Sequence, residues 1–105
     1  MIIALPAEID MANADWVGQL LGSAFAAGVT AVIADMRVTR FCDSSGISML
    51  VRAHKQAAAN GTRLRLVVPS AAVLRILTLV QVDHLLLIYH TLSQALAAGP
   101  QIRHE

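Results

Sequence analysis

The chain has 105 residues and is poor in cysteine, in charge and in long hydrophobic runs, and each shortage removes a class of protein. Its one cysteine, Cys42, cannot form an internal disulfide, so a cross-linked secreted scaffold is excluded and a core must hold the fold. Charged residues make up only 14% and the formal net charge is +1, with no stretch that gathers Lys and Arg. The basic footprint of a nucleic-acid binder is therefore missing. The apolar run Leu85-Leu86-Leu87-Ile88-Tyr89 is far shorter than the roughly 20 residues of a membrane-spanning helix, and Asp83, His84 and His90 bracket it. The chain does not open with a charged segment, a long apolar stretch and a small-residue cleavage site, so the expected compartment is the cytoplasm.

What the chain does have is apolar surface to bury. A hydrophobic fraction of 56% in 105 residues suits one domain, residues 1–105, with a single core. Four short runs read as buried strands: Ile2 to Leu5, Val29 to Ala34, Leu64 to Val68 and Leu85 to Tyr89. Between and after them lie helical periods: Trp16, Leu20, Leu21, Ala24 and Phe25; Ile47, Leu50, Val51 and His54; Val73, Leu74 and Leu77; Leu92, Ala95 and Leu96. Gly28 and Asn60-Gly61 stand where helices end, Ser70 can cap the third helix, and Thr91 with Gln94 has the spacing of a capping box. Strands alternating with helices predict an α/β domain: one mixed, mostly parallel four-stranded sheet packed with about four helices.

The chemistry concentrates at Asp43-Ser44-Ser45-Gly46, between a strand pattern and the second helical period. A helix start leaves backbone N–H groups unpaired, so Asp43 or Ser44 can cap them and an anion is favoured there. The histidines His54, His84, His90 and His104 are scattered without metal-ligand spacing, and His54 falls on the apolar stripe of its helix as a half-buried core histidine would. Cys42 reads as a small buried hydrophobe, Trp16 as core or helix-to-sheet packing, and Arg37 and Arg40 as solvated loop charges. A serine hydrolase is disfavoured, because Ser44 lacks the Gly-x-Ser-x-Gly frame and no histidine is placed as its base.

The segments Val32-Ile33-Ala34-Asp35-Met36 and Phe41-Cys42-Asp43-Ser44-Ser45-Gly46-Ile47 resemble the central motif of STAS domains, in particular of the anti-sigma factor antagonists. The likeness continues through Leu50-Val51-Arg52-Ala53-His54-Lys55, Gly61 to Val67, Pro69 to Leu77 and Val82 to Leu86. It implies a binding protein rather than an enzyme, without cofactor, metal or catalytic residues. By the resemblance, Ser44 accepts phosphate from a serine kinase that is also the anti-sigma factor, and Ser45 helps to cap the helix. The implied partner surface is Asp10, Asp43, Ser44, Ser45, Gly46 and Ile47, and a phosphoserine phosphatase is a further candidate partner.

Ala7-Glu8-Ile9-Asp10 is similar to the segment that follows the first strand of most such antagonists, so that first strand is expected to be missing or very short. An exposed sheet edge, and a homodimer through it, follow as an expectation. The same resemblance allows a second role, as the STAS subunit of a lipid or anion transport complex.

Overall fold

The computed structural model describes residues 1–99, so His104 lies outside the described residues. Among the described residues the chain runs β1 (Ile2–Ala4), β2 (Glu8–Ile9), α1 (Ala14–Ala26), β3 (Ala31–Asp35), β4 (Phe41–Cys42), α2 (Ser44–Ala59), β5 (Arg63–Val67), α3 (Ala71–Leu79), β6 (Leu87–Tyr89) and α4 (Leu92–Ala97). β1, β3, β5 and β6 form one sheet in that order, and all its neighbours pair in parallel. This is the α/β fold expected, with four helices on a four-stranded sheet.

The side-by-side order of the strands decides where the helices go. Parallel neighbours joined by right-handed crossovers place successive connecting helices on one face when the sheet grows in one direction. Accordingly α1, α2 and α3 share one core, in which Val17, Leu21 and Phe25 meet Leu50, Ala53 and Leu77 over Val32, Ala34, Leu64 and Leu66. The opposite face is thinner. There Ile33 and Val67 pack with Ala95 of α4 and with Tyr89 and Leu92. Both faces of β3 are thus covered, which is why Ala31 to Ala34 reads as a continuous apolar run, whereas β5 alternates, with Leu64 and Leu66 on the thicker face between Arg63 and Arg65.

Arg65 is the exception within β5. It points to the thin face, is only 8% exposed, and donates from Nη1 to the Ala95 carbonyl at 3.3 Å and from Nη2 to the Gly99 carbonyl at 3.1 Å. Its charge is met by carbonyls at the C-terminal end of α4, where a cation is favoured.

The predicted helix punctuation is present. Gly28 (φ 80°) and Gly61 (φ 71°) take left-handed conformations after α1 and α2, Ser70 Oγ accepts from Val73 N, and Thr91 and Gln94 close a capping box on α4.

Three sequence readings are corrected or completed. Trp16 is not core: it is 61% exposed, because the buried stripe of α1 runs through Ala14, Val17, Leu21, Ala24 and Phe25, and Trp16 falls beside it. Arg37 is exposed, as a loop charge should be, but it is not unpaired: it grips Asp35 through Nε (2.9 and 3.1 Å) and Nη2 (2.8 Å), in the forked geometry that suits a guanidinium and a carboxylate. And beside the four-stranded sheet stands a small second one, β2 with β4, too short to show a period in the sequence.

Candidate functional site

The small second sheet builds the site. β2 and β4 run in parallel, pairing Glu8 with Phe41 and Ile9 with Cys42, and the ladder extends at both ends. Thr39 Oγ1 donates to the Pro6 carbonyl (2.8 Å), Arg40 N to Ala7 O (2.9 Å) and Asp43 N to Ile9 O (3.0 Å). The segment before α1 is therefore fastened along the segment before α2, and both helices start side by side.

Asp43 is the hub of that junction. One carboxylate oxygen, Oδ1, accepts from Gly46 N at 3.0 Å and caps α2, while Oδ2 accepts from Met11 N at 3.2 Å and ties down the loop before α1. That loop is closed by its own bonds: Ala12 N donates to Asp10 Oδ1 (2.9 Å), and Asn13 Nδ2 to Glu8 O (2.8 Å). The structure thus brings Asp10 into the loop that flanks Asp43. Of the two caps that the sequence offers, Asp43 and Ser44, Asp43 serves, and the Ser45 cap that the resemblance implies is corrected. The side chain that caps α2 is Asp43, not Ser45, because Asp43 holds the extended N-cap conformation while Ser44 and Ser45 are already helical.

The consequence is an unengaged hydroxyl. Ser44 occupies the first helical position and is exposed, and among the described residues no hydrogen bond occupies its Oγ. Ser45 is half-buried beside it. Gly46 and Ile47 lie buried beneath this rim. A β-carbon at Gly46 would stand 2.6 Å from Cys42 Sγ and 2.8 Å from Ile9 Cγ2, so only glycine lets the first turn of α2 rest on β2 and β4.

Cys42 itself is buried, as its sequence context predicts, and desolvation with the neighbouring Asp43 charge pushes its thiol up to about 11. It is neutral and unreactive at ordinary pH. Among the described residues no three His, Cys, Asp or Glu side chains gather to hold a metal ion.

The exposed serines border a depression of about 320 Å³, lined by Met11, Ala14, Asp15, Ser44, Ser45, Ser48 and Arg52. Met11, Asp15, Ser48 and Arg52 were missed from sequence. For Ser48 and Arg52 the signal was there, since positions four apart on a helix share a face. For Met11 and Asp15 no local signal exists, because the second sheet alone brings them across.

The family model for the STAS domain matches residues 1–95. The chain belongs to the STAS domain family. No curated protein matches it significantly by sequence. Among solved structures, the STAS chain is similar to TM1081 of Thermotoga maritima at 25% identity and TM-score 0.78, covering 90% of this chain and 77% of that one. It is similar in fold to the unphosphorylated anti-sigma factor antagonist SpoIIAA of Bacillus: 22% identity, TM-score 0.73, 90% of this chain and 83% of that one. The murine anion transporter Slc26a9 contains a similar fold at 21% identity and TM-score 0.72, over 90% of this chain but only 17% of the transporter. No helix among the described residues is long and apolar enough to cross a membrane.

Proposed function

We propose that this STAS domain is an anti-sigma factor antagonist that acts by partner switching. Unmodified, it binds an anti-sigma factor that is also a serine kinase, in the cytoplasm, and so releases a sigma factor. Phosphorylation of Ser44 ends the contact, and a phosphoserine phosphatase restores it. The chain is then a substrate and a binding surface, not a catalyst.

The observation that carries this reading is the free hydroxyl of Ser44 at the first position of α2, with Asp43 doing the capping beside it. A phosphate there adds about −1.5 to −2 charge where the helix dipole and free N–H groups tolerate an anion, so the fold survives modification. The contact does not. Asp43 precedes the serine, Asp10 belongs to the loop that Asp43 ties down, and a partner face shaped for a neutral hydroxyl meets a dianion instead, while Gly46 and Ile47 set the seat of the helix from below. Like charges at an interface cost several kcal/mol, and about 1.4 kcal/mol is a factor of ten in affinity, so one phosphate suffices to separate the partners.

Intact-mass spectrometry with site mapping, after incubation with ATP and each anti-sigma kinase of the host, tests the proposal. A single phosphate at Ser44, absent from Ser44→Ala, is the expected result, with Ser44→Ala binding the kinase constitutively and Ser44→Asp binding weakly. Equal binding by both variants contradicts the switch. The Slc26a9 likeness favours a second reading, a STAS module of a transport complex, in which Ser44 stays unmodified and a pull-down recovers transporter components. Either reading accommodates a second copy paired at the β1 edge, which a concentration-dependent sedimentation coefficient would reveal.

A further inference from the structure

Arg52 borders the same depression as Ser44, Ser45 and Ser48, and it is the one cation among the residues that line it. Along α2 it follows Ser48 by four positions, Ser45 by seven and Ser44 by eight, the last a rise of about 12 Å, so the link between Arg52 and Ser44 is the depression that both border. Helical side chains lean towards the N-terminus, so the stem of Arg52 runs back towards the serines. Among the described residues no carboxylate pairs with it, although Asp15 lines the same depression, whereas Arg37 is committed to Asp35.

We propose that Arg52 receives the Ser44 phosphate within the same chain, an inference that rests on the partner-switching reading. A dianion at the start of α2 stands next to Asp43 and borders a depression that Asp15 also lines, and Arg52 supplies the offsetting charge from the wall of the same depression. Its planar guanidinium matches phosphate oxygens in a way a lysine would not. Modification then alters the partner's target twice: the hydroxyl is lost, and the guanidinium is drawn out of reach. Arg52 is a positioning residue for the modified state.

Phosphoserine installed at position 44 during translation tests this without a kinase. The second ionisation of the phosphate is followed by 31P NMR in the parent, in Arg52→Gln, and in Arg75→Gln, which removes an equal charge from an exposed position of α3. The expected midpoint, ordinarily near 6, is about 0.5 lower in the parent and in Arg75→Gln than in Arg52→Gln, and the gap closes towards 1 M salt. Equal midpoints in the two variants overturn the inference. Failure of every kinase to modify Ser44 would instead defeat the partner-switching reading, and the titration would still judge Arg52.

Discussion

Asp43 and Ser44 divide two tasks that adjacent residues of a helix start commonly blur. Because the aspartate carries the cap, the serine is free to be chemically altered without unfolding the turn. Asp43→Ala should therefore cost about 1–2 kcal/mol in urea denaturation, since it loses a cap and the Met11 tie together. Ser44→Ala should stay within about 0.5 kcal/mol of the parent, as for other exposed positions without a structural bond. Gly46→Ala should be worse than Ser44→Ala by at least about 1 kcal/mol, because its methyl has to displace Cys42 and Ile9. Were Ser44→Ala the most damaging of the three, the division of tasks would be wrong. Cys42 provides a probe of the same junction. With its thiol held up to about 11, it should resist alkylation at pH 8 in the native protein and react promptly in denaturant.

The elements differ in how far they could be read. Helices α1 to α4 declared themselves because caps and apolar spacing act over a turn or two, and Ser70, Thr91, Gln94, Gly28 and Gly61 all perform as such residues should. β3 was legible to within two residues because both its faces are buried, and β5 to within one because Leu64 and Leu66 alternate with arginines before Val67. β2 and β4 were not, since two residues have no periodicity and their pairing joins positions more than 30 apart. Of the site, the Asp43-Ser44-Ser45-Gly46 turn was visible in the sequence, while the depression beside it depends on that long-range pairing. Trp16 misled because one exposed aromatic beside an apolar stripe looks like part of it.

At the end of β3 an element-scale prediction follows from the Arg37 fork, whose hydrogen bonds hold the Asp35 carboxyl below its ordinary value near 3.8. A carboxyl with a depressed folded pKa adds stability above its unfolded pKa and loses it as pH falls through the folded one. Unfolding free energy should thus drop on acidification below about pH 4, and less steeply in Arg37→Gln; parallel curves would contradict the coupling.

For the molecule as a whole, the two faces of the sheet are unequal. Among the described residues three helices cover one, and the six residues of α4 cover part of the other. The buried guanidinium of Arg65 sits under that lighter cover, held by carbonyls alone among the described residues. Lifting α4 exposes little apolar surface and at the same time returns a cation to water, so this departure costs less than the area alone suggests. The protein should loosen in a set order. Amide protons of α4 and β6 should exchange with solvent first, through openings that leave β3, β5 and α2 closed, and those inner elements should exchange only through global unfolding. In this order the end that carries Ser44 keeps its shape while the far side of the sheet breathes.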